Sequence, residues 1–209
     1  LIEYAASKHK PMVLATGIAT EEDIQLAVEA CRRMGNNDIT VLKCTSSYPA
    51  PVEEANLCMI RDLAERFQVK SGLSDHTLGS VSPIVAVTQG ASMIEKHFIL
   101  NRSIGGPDCS FSMEEKDFAQ MVKDVRMAEL SLGKTTYELT EKMRGSRSAS
   151  RSLYVAEDMK AGEVITERNV RSVRPGFGLH PKYLKDILGK NVNRDLEKGT
   201  RFALEYVNG

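Results

Sequence analysis

Two short apolar runs in this chain end in the same way. Gly72-Leu73-Ser74-Asp75-His76-Thr77 and Glu95-Lys96-His97-Phe98 each close on polar residues, with a histidine near the end. Between them, residues 83–90 are rich in Ile, Val and Ala and read as a compact helix. Strand, helix, strand is the unit of a parallel sheet, and parallel neighbours deliver their carboxyl ends to one face. Both histidines leave the sheet on that face, where two imidazoles can share one divalent metal. Two polar residues closing two loops is the alternative, and spacing alone leaves both open. The chain has four His, and two of them fall at these equivalent places.

The rest of the chain extends the pattern. Met12-Val13-Leu14-Ala15 reads as a short buried strand turned by Thr16-Gly17. Thr20-Glu21-Glu22-Asp23 has the form of a capping box, in which side chains satisfy the free amides of a helix start. Ile24, Ala27, Val28 and Cys31 then recur at helical spacing before Gly35. Ile39-Thr40-Val41-Leu42-Lys43-Cys44 is the next strand, and its exit, Thr45-Ser46-Ser47-Tyr48-Pro49-Ala50-Pro51, is crowded with hydroxyls. A helix is expected over 56–67. After His97, a loop with Arg102, Gly105, Gly106, Pro107 and Asp108 leads to Ser112-Met113-Glu114-Glu115, a second capping-box pattern, and a long helix ending at Gly133. Four strand–helix units make half of a (β/α)8 barrel. Four units alone leave two long apolar sheet edges unpaired, so either the missing half of the barrel precedes Leu1, which is the favoured expectation since Leu1-Ile2-Glu3-Tyr4 reads as the inside of a helix, or two copies pair.

The character changes after residue 134. Residues 135–150 are polar, with Arg144 and Arg147 among serines, and read as a linker. In 151–209, Asp158-Met159-Lys160-Ala161-Gly162 and Asp195-Leu196-Glu197-Lys198-Gly199 repeat a turn with Gly last, which predicts two similar hairpins in a small pseudo-symmetric β domain. Arg174-Pro175-Gly176 lies in an exposed loop between them, followed by a short helix over 181–188. The division is therefore 1–134, 135–150 and 151–209.

Composition narrows the function. Formal net charge is zero, which leaves no electrostatic footprint for nucleic acid. No apolar run approaches the roughly 20 residues of a membrane-spanning helix. Cys31, Cys44, Cys58 and Cys109 form no CxxC pair, and reduced thiols in a cytoplasmic protein are expected. The expected ligand face holds Thr16, Lys43, Thr45, Ser46, Ser47, Tyr48, Ser74, Asp75, His76, Thr77 and His97, because in barrels the carboxyl ends of the strands carry the chemistry. Hydroxyls, backbone amides and Lys43 suit a phosphate or carboxylate. Two neutral imidazoles leave coordination positions open to water and substrate, as a Lewis-acid metal requires. Each feature has a plainer alternative. Thr45–Ser47 can satisfy loop backbone, Lys43 can snorkel from a strand end, Asp75 can orient neighbours, Asp108 can serve its turn, and Arg174 can be a solvated charge.

Taken together, Lys43-Cys44-Thr45-Ser46-Ser47-Tyr48-Pro49, Gly72-Leu73-Ser74-Asp75-His76-Thr77, Glu95-Lys96-His97-Phe98 and Gly106-Pro107-Asp108 resemble the sialic acid synthase family, and the tail resembles its antifreeze-like (SAF) domain. Gly35-Asn36-Asn37-Asp38, Ser103-Ile104-Gly105-Gly106-Pro107-Asp108 and Gly178-Leu179-His180-Pro181 resemble the pseudaminic acid branch. The resemblance implies the second half of a (β/α)8 TIM barrel followed by a small β-clip SAF domain. It implies condensation of phosphoenolpyruvate with a 2,4-diacetamido-2,4,6-trideoxy hexose, with phosphate released; neuraminate and legionaminate synthases are the neighbouring alternatives, and a non-catalytic carbohydrate-binding fragment is another. Metal ligands carry over onto His76 and His97, for manganese or else cobalt or magnesium. Phosphoenolpyruvate contacts carry over onto Ser46, Tyr48 and Ser74, and a sugar contact onto Asp108. Arg174 matches an Arg that one subunit places over its partner's site, which implies a domain-swapped homodimer. Ala15 stands where the family often has Ser, and Ser46 where relatives can carry Asn. The family's other lysines and its catalytic glutamates belong to the first half of the barrel, so this chain alone is expected to be inactive.

Overall fold

The computed structural model describes residues 1–208; Gly209, the last residue assigned to the small domain, lies outside the described residues. The chain divides into two compact units, Leu1–Lys134 and Thr135–Gly209.

In the first unit a short helix, α1 (Ile2–Ala6), precedes β1 (Met12–Ala15). Helix α2 (Glu21–Arg33) starts where the sequence predicts. Thr20 accepts from the Asp23 amide, and the Asp23 carboxylate accepts from the Thr20 amide in return. Three acids in its first turn and Arg32 and Arg33 in its last suit the helix dipole. Strand β2 (Ile39–Cys44) is buried along nearly its whole length, as befits a central strand covered on both faces. Then come α3 (Met59–Phe67), β3 (Lys70–Asp75), α4 (Val81–Thr88), β4 (Ile94–Lys96) and α5 (Glu115–Leu132). The strands are parallel and lie in the order β1-β2-β3-β4, the succession of half a (β/α)8 barrel. Ile39 and Val41 pack with Val28, Leu63 and Phe67, while Leu73 packs with Ile60 and Ala86. Burying each such side chain stabilises the unit by about 2 kcal/mol. The helices therefore cover one face of the sheet, and the alternate residues face the barrel axis.

Several boundaries differ from expectation. The helix expected from residue 56 begins at Met59, because Val52–Glu54 forms a separate 3-10 turn and Asn56 turns the chain at φ 44°. Helix α4 starts two residues before Pro83, which its first turn accommodates because that turn's amides have no helical partner. β1 is only half covered, with Val13 43% exposed on its axial side. The second capping box does not form. Glu114 is itself the N-cap residue, its carboxylate accepts from the Arg102 amide at 2.8 Å, and the Ser112 hydroxyl donates to the Asp108 carbonyl at 2.7 Å.

In the second unit the expected linker contains a helix, α6 (Glu141–Arg147), capped by Thr140. Strands β5 (Ser152–Val155) and β6 (Val170–Val173) pair antiparallel, and helix α7 (Leu184–Ile187) follows the turn Pro181–Tyr183. The two repeated turns are not separate hairpins; they pair with each other. Met159 and Leu196 exchange both backbone hydrogen bonds. The Ala161 amide donates to Asp195 Oδ1, and the Lys198 amide donates to Asp158 Oδ1. Gly162 N donates to Val192 O and Gly199 N to Val155 O. Each motif thus does for the other what it receives, which is local two-fold symmetry. Both glycines sit at positive φ, 85° and 91°, where a side chain would be strained. Leu153, Met159, Ile165, Ile187 and Phe202 fill the core between the two halves.

Candidate functional site

Strand parity sets the site. Ser71, Leu73 and Asp75 point to the helices with Ile94 and Lys96, so Gly72, Ser74 and His76 point to the barrel axis with Glu95 and His97. The two imidazoles meet there with ring centroids 5.1 Å apart and planes at 74°. Tyr48, from the hydroxyl-rich loop after β2, lies 4.3 Å from His76 and 6.0 Å from His97. Phe111 closes the far side, 5.0 Å from His97 and 5.9 Å from Tyr48.

The nitrogens are sorted by their partners. His76 Nδ1 lies 2.9 Å from the Thr45 carbonyl, an oxygen that can only accept, so the proton sits on Nδ1 and the Nε2 lone pair is free. His97 Nδ1 lies 3.7 Å from the Asp108 carboxylate. The carbonyl behind His76 is the kind of outer-shell contact that orients metal-binding histidines, while the Asp108 carboxylate faces His97 from beyond hydrogen-bond distance. Among the described residues no group of three or more His, Cys, Asp or Glu side chains converges on one point. Two imidazoles with centroids 5.1 Å apart, with His76 Nδ1 turned to the Thr45 carbonyl, are a donor set that fits a divalent ion whose other positions are left to water and substrate.

Asp108 takes a left-handed backbone conformation, φ 64°, uncommon for any residue but Gly and best tolerated by Asn and Asp. Its carbonyl accepts from both the amide and the hydroxyl of Ser112, which holds the carboxylate facing His97. Ser74 donates to Glu95 Oε1 at 2.7 Å. Ser46 Oγ stands 3.2 Å from the point where a Cβ on Gly17 would lie, so Gly17 leaves that hydroxyl its room.

Other expected residues do different work. Lys43 shares its parity with Ile39 and Val41 and lies toward the helices, where it lines a cleft of about 610 Å³ between α2 and α3. Its ammonium donates to the Cys44 carbonyl and to Thr45 Oγ1, both at 3.0 Å, and burial holds its pKa below the ordinary lysine value. Lys43 is thus a brace for the loop that presents Thr45 to His76 and stands apart from the axial cluster. Thr45 passes its own hydroxyl to the Glu54 carbonyl, and Ser47 passes its hydroxyl to the Pro49 carbonyl. Thr16 Oγ1 accepts from the Cys44 amide, tying β1 to β2. Asp75 and Thr77 are bound to each other. Arg174 is the first residue after β6 in the second unit. Glu95 and Phe111 gain places that the sequence reading did not assign. Glu95 was readable, since it lies two residues before His97 on the same face; Phe111 returns from a loop with no periodic signal.

Four parallel strands with axial histidines at their carboxyl ends define half of a (β/α)8 barrel, and a two-fold β unit follows in the chain. The chain belongs to the NeuB family, whose pattern matches residues 1–137, and an SAF domain matches residues 150–202. Among curated relatives, the pseudaminic acid synthase of Helicobacter pylori is 48% identical over 208 residues, covering 99% of this chain and 61% of its own length. The N,N'-diacetyllegionaminic acid synthase of Legionella pneumophila is 32% identical over 211 residues, 99% of this chain and 59% of its own length. The chain thus spans about three-fifths of the curated relatives it matches. Among solved structures, the spore coat polysaccharide biosynthesis protein SpsE of Bacillus subtilis superposes with a TM-score of 0.62 at 30% identity, over 100% of this chain and 64% of its own.

Proposed function

We propose that this chain is part of a synthase that joins phosphoenolpyruvate to a 2,4-diacetamido-2,4,6-trideoxy hexose, giving pseudaminic acid and phosphate. The observation that carries this reading is the identity gradient: 48% to a pseudaminic acid synthase against 32% to a legionaminic acid synthase over nearly the same stretch.

His76 and His97 would hold a divalent ion through their Nε2 atoms, manganese in the first instance and cobalt or magnesium otherwise. Bound there, such an ion supplies Lewis-acid polarisation of the open-chain sugar's carbonyl. The chain's own residues supply position. Tyr48 and Phe111 flank the imidazoles and keep water from that side. Ser46, Tyr48 and Ser74 receive phosphoenolpyruvate. Ser74 has one proton, now given to Glu95; donating it to an anionic ligand means releasing Glu95, so ligand and carboxylate compete for one hydroxyl. Asp108, fixed by Ser112, faces the sugar. Lys43 and Thr45 keep the loop in place behind His76. Holding two small reactants in register lowers the entropy cost of their encounter, a large part of such a rate gain. Arg174 acts from a second copy, in a homodimer that exchanges its SAF domains, and the reaction is cytoplasmic. This chain alone is inactive, since the axial side of β1, Val13 and Ala15, is open where further walls would stand.

A barrel aldolase working through a Schiff base is disfavoured by the lysines themselves. Lys96 is sealed in an ion pair with Asp75, and Lys43 is spent on its loop. Borohydride added with substrate therefore leaves the protein unmodified. The direct test is His76→Ala and His97→Ala in the complete protein. Each lowers manganese occupancy below one equivalent and abolishes turnover; full activity in either variant at sub-stoichiometric metal refutes the assignment.

A further inference from the structure

Immediately before each axial histidine stands a residue of opposite charge, and the two are paired. Asp75 precedes His76, Lys96 precedes His97, and Lys96 Nζ lies 2.7 Å from Asp75 Oδ2. The pair faces the helices, away from the imidazoles, and its side chains are only 2% and 1% exposed. Every remaining oxygen is used. Asp75 Oδ1 accepts from the Thr77 amide at 2.9 Å and from its hydroxyl at 2.8 Å. Thr77 Oγ1 lies 2.9 Å from the buried Ser82 hydroxyl in the first turn of α4, and the Thr77 carbonyl accepts from Lys96 Nζ at 2.5 Å. The network therefore grips the residues on both sides of His76 and ties them to the residue beside His97.

The backbone alone does not provide this grip. β4 is three residues long, and its registered ladder with β3 ends at Asp75 and Lys96. One residue further, the His76 carbonyl is taken by the Ala50 amide and the His97 carbonyl by the Met113 amide, from two different loops. The histidines thus emerge just where the sheet stops holding their strands together. Nor is stability a sufficient reason for the pair. Burying two charges costs several kcal/mol each, and well-packed apolar residues in their place are often neutral or better.

We infer that Asp75 and Lys96 are positioning residues, a buried clamp whose role is to set the separation of the two imidazoles. The inference rests on the reading that His76 and His97 serve one site. The two sides of the sheet then have separate duties: Asp75 and Lys96, on the helix side, fix the geometry, and His76 and His97, on the axial side, present the ligands. Lys96→Arg keeps both charge and donors and preserves the clamp.

The test is Asp75→Leu/Lys96→Met, which removes both charges at similar volume, with Asp75→Asn/Lys96→Gln as the companion if the apolar pair does not fold. Folding is monitored by circular dichroism and thermal melting. The first readout needs no metal: in the parent chain the two imidazoles give a nuclear Overhauser contact between their ring protons, as a 5.1 Å centroid separation requires. In the folded double variant that contact is lost, and in Lys96→Arg it is retained. The second readout is manganese titration, where the double variant weakens the dissociation constant at least tenfold, the usual scale for loss of an outer-shell partner. A folded double variant that keeps the ring contact overturns the clamp. A parent chain that shows the contact, loses it in the double variant and yet binds no manganese upholds the clamp and counts instead against the metal reading.

Discussion

Gly72 has no room for a side chain. A Cβ there would stand 2.4 Å from the Met93 carbonyl oxygen and 2.6 Å from Leu42 Cδ2, and the Met93 carbonyl is already held by the Leu73 amide. Gly72→Ala is therefore expected to destabilise the first unit by about 2 kcal/mol or more, read from denaturant unfolding. Two residues along the same strand, Ser74→Ala in the complete protein raises KM for phosphoenolpyruvate about tenfold, the scale of one hydrogen bond to a charged ligand, while KM for the sugar stays within about twofold. Steady-state kinetics with each substrate varied in turn separates the two. At this scale the sequence was legible where period two applied: His76 and His97 do share a face, because both lie one residue beyond the end of a parallel ladder. The same rule places Lys43 on the opposite face, with Val41, and the expectation that it joined the ligand residues followed its charge and overlooked its parity. Asp75 and Lys96 looked like ordinary polar strand ends, since nothing in a linear sequence reports that two charges become buried together.

Among the elements, the two candidate capping boxes make a useful contrast. Thr20 and Asp23 satisfy each other's amides and start α2 as the pattern predicts. Thr20→Ala should cost about 1 kcal/mol, measured as a lowered unfolding midpoint. Ser112 and Glu115 carry the same spacing and form no cap, because the neighbouring Glu114 carboxylate goes to the Arg102 amide and the Ser112 hydroxyl to Asp108. The spacing was present, but Asp108, four residues back from Ser112, and Arg102, twelve back from Glu114, engage these side chains, and a four-residue pattern does not report partners in the loop before it. The two Gly-ended repeats were likewise visible as repeats. Their mutual pairing was not, since hydrogen bonds between Asp158 and residue 198, and between Asp195 and residue 161, join positions more than thirty apart.

That pairing also gives the second unit a pH dependence. The Asp195 carboxyl is held below its usual range by the Lys160 ammonium and then the Ala161 amide, and the same bond raises Lys160. A lowered carboxyl contributes stability that is complete above its unfolded value, about pH 4, and is lost as pH falls through the folded one. A raised lysine contributes below its unfolded value, about pH 10, and loses that contribution as pH rises through the folded one. The pair is exposed, so the effect is small, and it is greatest between those limits. Asp195→Asn should flatten the acid limb of the second unit's stability curve and leave its neutral plateau only slightly lower.

For the whole molecule, half a barrel was legible from four strand–helix periods and a small two-fold β unit from its repeat, while its SAF character came from the family resemblance alone. The proposed synthase reaction turns on one bond, between the methylene carbon of phosphoenolpyruvate and the carbonyl carbon of the sugar. The complete protein, incubated with manganese, [3-¹³C]phosphoenolpyruvate and a 2,4-diacetamido-2,4,6-trideoxy hexose, should release one phosphate per sugar consumed. The label should appear in a ring methylene of the nonulosonic acid by NMR, and N-acetylmannosamine should give far slower turnover. Label recovered only in pyruvate, or phosphate released equally well without any sugar, would contradict the account.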